Sequence, residues 1–263
     1  MSQADSINFD RAAEFYDATR DPGDEVTART IDLLEREFRD RGRALEIGVG
    51  TGAIALPLAA REVPLVGIDV STAMMSKLIE KSGGRAPLPL LHADATRVPI
   101  RDGAVAGAYA RHVLHLISDW TAVVAELCRV VGDGVILLDV GSGASGWMDL
   151  WEGMQPALGP EADPIGFDIV EQGTDVLDEA FAASGGRLRA VEEIASRDDE
   201  TVADALADIR AKTPSWTWRV PDADLDRAVE LGTAWALDRH GTLDVRLNED
   251  AIVRWRIYDV GRP

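Results

Sequence analysis

The densest chemistry in this 263-residue chain lies in Ala44-Leu45-Glu46-Ile47-Gly48-Val49-Gly50-Thr51-Gly52. An apolar run ends around an acidic residue, three alternating glycines follow, and Ala53-Ile54-Ala55-Leu56 opens a helix. Glycine accepts backbone angles and close approaches that a Cβ forbids, so a ligand can lie against such a turn and against the helix N-terminus behind it. The expected ligand is nucleotide-like. Gly48, Gly50 and Ala53 also satisfy a loose G-x-G-x-x-A dinucleotide pattern, with Asp69 about 20 residues on. Glu46 separates the two readings: a carboxylate ahead of the turn suits a positively charged ligand, whereas the pyrophosphate of a dinucleotide would be repelled there.

S-adenosylmethionine carries a sulfonium and an amine and meets that requirement. At this point the sequence resembles the class I S-adenosylmethionine-dependent methyltransferases, in the small-molecule branch called methyltransferase type 11. The resemblance implies that Glu46 and the loop of Gly48, Gly50 and Thr51 hold the methionine part of the cofactor. Val66-Gly67-Ile68-Asp69-Val70-Ser71 looks like the family's second motif. There Asp69, next to Val70, would accept hydrogen bonds from both ribose hydroxyls, the alternative being that it caps the following helix. Met74 would lie on the adenine or in the core. Leu91-His92-Ala93-Asp94-Ala95-Thr96 resembles the third motif. Asp94 would accept from the adenine amino group while the Ala95 N–H donates to the ring, or Asp94 would simply cap its loop. Residues 105–116 resemble the fourth motif, the strand and turn that approach the transferring methyl. They depart from the family pattern at Ala106, where an aspartate is common, and at Arg111, where a small or amide residue is usual. Arg111 is carried over by position as a cofactor contact.

On the acceptor side, His112 and His115 are the candidates for a general base near neutral pH, with a structural role as the alternative for His115. Methyl transfer from a sulfonium is an in-line displacement for which alignment and desolvation can suffice, so neither histidine is assigned as catalytic. Phe15-Tyr16-Asp17-Ala18-Thr19-Arg20 resembles the N-terminal segment that closes over cofactor and substrate in the family. Tyr16 and Arg20 stand four apart and share a helical face. Tyr16 would meet the acceptor, and Arg20 would pair with the cofactor's methionine carboxylate or form a surface salt bridge. Trp147, Trp151, Trp216 and Trp218 fall in the expected cap, where they would wall off an organic substrate or fill the cap's own core. Trp147 and Trp216 are taken as substrate contacts.

The elements that must position these residues show in the alternation of short apolar runs with longer amphipathic segments, which argues for βα units and a parallel sheet covered by helices. Strands are expected over residues 43–49, 63–70, 88–93, 105–110, 135–140, 188–194 and 252–258. Helices are expected over 10–20, 24–40, 71–80, 119–131, 174–183, 200–212 and 222–239. Between 119 and 131, Trp120, Val123, Val124, Leu127, Cys128 and Val131 share one helical face, so Cys128 reads as a core residue. Asp21-Pro22-Gly23 is a turn, and residues 141–167 read as a glycine-rich connector and lid carrying Pro156, Pro160 and Pro164.

The fold expected is α/β: a doubly wound, Rossmann-like, seven-stranded, mostly parallel sheet with a helical cap, the last strand antiparallel as the resemblance implies. It would form a single class I methyltransferase domain over 1–263, with N-terminal helices at 1–42 and the cofactor-binding core at 43–140. Loop, lid and a helix would occupy 141–187, and C-terminal strands with inserted cap helices 188–263. The 46 acidic against 27 basic residues leave a net charge of −19, which repels a phosphate backbone and argues against nucleic acid. At 46% hydrophobic and 28% charged the composition is that of a soluble chain, with no apolar run near the ~20 residues of a membrane span. The polar start lacks the features of a secretory leader, so a cytoplasmic location is expected. One cysteine and four scattered histidines offer neither a disulfide nor a metal cluster. The expected activity is methyl transfer from S-adenosyl-L-methionine, leaving S-adenosyl-L-homocysteine, to an oxygen, nitrogen or carbon of a small organic acceptor. An NAD-linked oxidoreductase using Gly48, Gly50 and Asp69 is one alternative, though it leaves Glu46 and Asp94 unexplained. A non-catalytic module that keeps the S-adenosylmethionine pocket is the other, suggested by the irregular fourth motif.

Overall fold

The structure is a computed structural model that describes residues 7–19, 24–139, 145–159, 162, 173–196, 199–248 and 251–261. Seven strands form one sheet in the order β3-β2-β1-β4-β5-β7-β6. They are β1 (Ala44–Ile47), β2 (Leu65–Asp69), β3 (Leu90–His92), β4 (Gly107–Arg111), β5 (Gly134–Asp139), β6 (Gly186–Ser196) and β7 (Ala251–Val260). The first five are parallel, and β7 runs antiparallel between β5 and β6. This is the doubly wound sheet with an inserted antiparallel strand that the sequence led us to expect. All of β1 and the first four residues of β4 are buried, the consequence of continuous apolar runs covered on both faces. The strand order reverses at β1 and β4, so the crevice at their carboxyl ends is the natural place for a ligand.

Helices α1 (Tyr16–Thr19), α2 (Asp24–Phe38), α3 (Ala55–Ala60), α4 (Thr72–Lys81), α5 (Trp120–Val131), α6 (Ser145–Met154), α7 (Asp175–Ala183), α8 (Val202–Arg210) and α9 (Asp222–His240) complete the fold. Side chains of α2, α3 and α4 fill one face of the sheet, and those of α5 and α7 the other. A third core, built from α6, α8 and α9, is the interior of the cap. The stripe on α5 is buried as its spacing predicts, and Asp119 caps that helix by accepting the Ala122 N–H at 3.1 Å. Burial pushes the Cys128 thiol up to about 11, so it behaves as a small apolar core residue. Among the described residues, no helix is long and apolar enough to cross a membrane.

Two expectations are corrected. Residues 145–154 form helix α6 rather than loop, and its Leu150 and Met154 are fully buried. Gly146 is there because the backbone of Leu247 passes against it, leaving no room for a Cβ. The glycine that reads as linker therefore marks a close approach. The segment expected as one helix over 10–20 is instead a single 3-10 turn at Asp10–Ala12 followed by α1. The Asp10 carboxylate is drawn to Ser71 Oγ at 2.6 Å, which bends the chain over α4. Arg20, the turn at 21–23, residues 141–144, Pro160 and Pro164 lie outside the described residues.

Candidate active site

After β1 the chain turns sharply at Gly48, whose φ of +69° is open to glycine and strained for other residues. Its N–H and that of Val49 both donate to the Ile68 carbonyl, at 2.9 and 3.0 Å, tying the turn to β2. A Cβ at Gly48 would meet Val113 Cγ2 at 2.5 Å, and one at Gly52 would meet Leu78 Cγ and Leu56 Cγ at 2.8 and 2.9 Å. The turn is thus wedged between the segment after β4 and helices α3 and α4.

Asp69 ends β2 beside this turn. Its Oδ2 accepts the Gly50 N–H and its Oδ1 the Ser71 N–H, both at 2.8 Å. Backbone N–H groups thus orient both oxygens of the carboxylate toward the turn. Burial raises the carboxyl's pKa, and the Ser71, Gly50 and Val70 N–H groups work against that rise. Capping of α4 falls to a neighbour: Ser71 Oγ accepts the Met74 N–H at 3.1 Å. Ser71 is thus the cap itself, and Asp69 steadies it by accepting the Ser71 N–H.

A cleft of about 650 Å³, counted out to open solvent, opens over the turn. Its lining includes Asp69, Val70, Met74, Asp94 and Ala95 from the ends of β2 and β3, and Val113, Leu116 and Ile117 from the segment after β4. Asp94 holds its loop by accepting the Thr96 N–H and Oγ1 hydroxyl with Oδ1, both at 2.8 Å, so the capping role coexists with a place on the wall. Ile7, Phe9 and Tyr16 make the roof. The roof is pinned at several points: the Ile7 N–H donates to the Leu116 carbonyl at 3.1 Å, and Asp17 accepts from Thr51 Oγ1 at 2.5 Å and Lys81 Nζ at 2.7 Å. Phe9 meets Tyr16 edge-on at 5.7 Å and Trp218 of the cap at 5.0 Å, with Arg11 lying over the same indole at 4.9 Å.

A second half of the cleft continues on the other side of Gly48 and Gly50, bounded by Glu46, Thr27 and Thr51 and sharing Tyr16, Arg111 and His112 with the first. Glu46 is 5% exposed and pairs across the sheet with Tyr109, whose hydroxyl donates to Oε2 at 2.8 Å. Burial pushes the Glu46 carboxyl up to about 8, the Tyr109 hydrogen bond opposes this, and the charge of Asp69 adds to it. Between its ordinary value of 4.5 and about 8 the folded chain holds a proton that the unfolded chain has released. Glu46 thus stabilises the fold fully at acid pH, and that contribution is lost as pH rises through about 8. The urea midpoint is expected to fall between about pH 6 and about pH 8.5 in the protein, and to stay nearly level in Glu46→Gln. A wild-type midpoint as level as the variant's would contradict this account.

At the carboxyl ends of β4 and β5, Asp139 gathers two of the predicted residues. Its Oδ2 lies 3.1 Å from Arg111 Nε and 3.5 Å from His112 Nε2, and its carbonyl accepts the His112 N–H at 2.9 Å. The arginine that departs from the family pattern is balanced by a buried aspartate. His112 holds a φ of +52° and lines both halves of the cleft, whereas His115 stands behind it on the 3-10 turn Leu114–Leu116, the rings 6.3 Å apart.

The structure brings Tyr16, Glu46, Gly48, Gly50, Asp69, Val70, Met74, Asp94, Ala95, Arg111 and His112 to the cleft, and Thr51 to its second half. It places Trp147 and Trp216 elsewhere. Trp147 donates Nε1 to Glu200 at 3.0 Å, Trp216 meets Trp151 edge-on at 4.9 Å, and both pack on the cap's core. Their large apolar surfaces serve the cap interior, and the tryptophan that reaches the roof is Trp218. Asp10, Tyr109 and Asp139 went unread as site residues. Asp139 carried a usable signal, an acid closing a buried strand as Asp69 does.

Residues 45–139 match a family described as "Methyltransferase domain". Over that stretch, about a third of the chain, the sequence is similar to methyltransferase domains of the type 11 branch. The matched stretch runs from β1 through β5 and so contains the glycine turn, Asp69, Asp94 and the Arg111–Asp139 pair. A malonyl-[acyl-carrier protein] O-methyltransferase of Legionella pneumophila is 30% identical over 125 residues, 47% of this chain and 44% of the relative. A demethylmenaquinone methyltransferase of Beutenbergia cavernae is 33% identical over 133 residues, 48% of this chain and 52% of the relative. The chain spans about half the length of the curated relatives it matches. Among solved structures, a putative methyltransferase from an antibiotic biosynthesis pathway of Anabaena variabilis superposes with a TM-score of 0.58 at 16% identity, over 90% of this chain and 99% of that one. The [4+2]-cyclase SpnF does so with a TM-score of 0.58 at 19% identity, over 89% and 81%. These two likenesses show a shared fold over about nine-tenths of this chain.

Proposed function

We propose that the protein transfers the methyl group of S-adenosylmethionine to a small organic acceptor. The observation that carries this reading is the pair of acids set on either side of one glycine turn, Asp69 toward the first half of the cleft and Glu46 toward the second. The residues fit the cofactor: a turn that a Cβ would close, a carboxylate oriented by backbone N–H groups that suits a diol, and a buried carboxyl suited to a cation. Bound there, S-adenosylmethionine would supply an electrophilic methyl on a sulfonium and leave as S-adenosylhomocysteine. Asp69 would accept from the ribose hydroxyls, Asp94 and the Ala95 N–H would read the adenine edge, and Met74 would pack beside the ring. Glu46 would meet the amine of the methionine part. Ile7, Phe9 and Tyr16 add apolar surface to the cleft lining, which would desolvate part of a bound cofactor and strengthen its charge contacts. His112, half-exposed where the two halves meet, is placed to take a proton from an acceptor and release it to solvent. Names of relatives that act on malonyl-[acyl-carrier protein] and demethylmenaquinone support an organic acceptor rather than a nucleic acid.

The test is calorimetric titration of the purified protein with S-adenosylmethionine, S-adenosylhomocysteine and NAD. Micromolar binding of the two adenosyl compounds with none of NAD is the expected result. Binding of NAD alone, or of none of the three, would overturn the reading.

A further inference from the structure

We propose that Tyr109 is a positioning residue that presents the Glu46 carboxyl to the cationic end of the cofactor, and that cofactor binding therefore expels a proton from Glu46. The proposal rests on reading the cleft as an S-adenosylmethionine site.

Three observations carry it. First, Tyr109 and Glu46 are register partners on adjacent central strands, and the Tyr109 hydroxyl donates to Glu46 Oε2 at 2.8 Å. Second, the hydroxyl is fixed in place: the Tyr109 ring is fully buried and packs on Phe38 at 5.7 Å, while Phe38 in turn presses on Gly107, where a Cβ would meet its ring at 2.5 Å. Burial also holds the phenol well above its ordinary pKa, so it remains a donor at every working pH. With Oε2 committed to Tyr109, Oε1 is the oxygen left for a ligand in the half of the cleft that Glu46 lines.

Third, the charges around Glu46 leave it without a local counterion among the described residues. Asp69 on β2 faces it as a second acid. At the end of β4, Arg111 is neutralised by Asp139 of β5, to which His112 is also drawn. From α1, Tyr16 lines the same half-cleft, and Asp17 is engaged with Thr51 and with Lys81 of α4. Glu46 is therefore a buried carboxyl that keeps its proton until a ligand brings a cation. The exchange balances as follows: the neutral carboxyl meets the ammonium of the methionine part, the O–H bond breaks, its electron pair stays on the carboxylate, and the proton leaves for solvent.

The experiment is calorimetry with S-adenosylhomocysteine in buffers of unlike ionisation enthalpy, with 5′-methylthioadenosine, which lacks the amino-acid part, as the companion probe. Near pH 7 the wild type should release close to one proton per S-adenosylhomocysteine bound and none with methylthioadenosine. Affinity for S-adenosylhomocysteine should weaken by roughly 20-fold from about pH 8.5 to about pH 6.5, as the proton becomes harder to displace. Tyr109→Phe keeps the ring against Phe38 and removes the hydroxyl. It should weaken S-adenosylhomocysteine by about tenfold or more at pH 7, move the pH midpoint upward and leave methylthioadenosine unchanged. Glu46→Gln should bind without proton release. Equal weakening of both ligands with an unmoved pH midpoint would make Tyr109 merely structural, and binding without proton release in the wild type would refute the coupling; both outcomes leave the cofactor site standing. Failure of both adenosyl compounds to bind would overturn the inference together with the site.

Discussion

Asp69→Asn is expected to weaken S-adenosylhomocysteine binding by about 100-fold or more, because two hydrogen bonds from a ribose diol to a charged acceptor are each worth roughly 1.5–3 kcal/mol. The loss is compounded inside the protein. Both Asp69 oxygens accept backbone N–H groups, from Gly50 and Ser71, and an asparagine can offer an oxygen to one of them alone. The amide nitrogen would face the other as donor against donor, loosening either the glycine turn or the start of α4. Calorimetry should therefore show the affinity collapse alongside a lowered melting temperature. Binding within a few-fold of wild type would refute the assignment of the diol to this carboxylate.

Gly48→Ala carries the second large effect, and its origin is steric. The φ of +69° costs an alanine about 1–2 kcal/mol, and its Cβ would stand 2.5 Å from Val113 Cγ2, closer than carbon atoms approach. Val113 belongs to the cleft wall, so the side chain that must yield is one the ligand would touch. The expected outcome is loss of measurable S-adenosylhomocysteine binding and destabilisation of about 2–4 kcal/mol by urea unfolding. Adding Val113→Ala removes the clash without relieving the backbone strain, so stability should return in part. A fully restored double variant would show that φ contributes nothing.

The sheet and the front of the cleft were legible because their signals are local. Each central strand is a short apolar run, and the glycine turn, Asp69 and Asp94 sit at strand ends within a few residues of the feature that identifies them. What stayed hidden depends on contacts between distant segments. Tyr109 reads as one more apolar residue of its strand until β4 is laid beside β1 and its hydroxyl meets Glu46. Asp10 looks like a helix-opening acid, yet Ser71 captures it and breaks the expected helix. Helix α6 was read as linker because Gly146 answers to Leu247, about a hundred residues later in the chain. The tryptophans posed the opposite problem: their type suggested a substrate wall, while burial assigned Trp147 and Trp216 to the interior of the cap.

The placement of β7 bears on how such a chain is made. It lies between β5 and β6 yet follows both in sequence, so during synthesis β6 has no strand to pair with and β5 keeps an open edge until residues 251–260 leave the ribosome. The roof over the cleft waits in a similar way, since Phe9 emerges about two hundred residues before its partner Trp218. A nascent chain that already includes β1 to β5 holds the glycine turn, Asp69 and Asp94, but it exposes a sticky strand edge and an uncovered apolar groove. Sealing the edge and roofing the groove therefore follow the core, which makes slow translation of the stretch from β6 to β7 a period of aggregation risk for this protein.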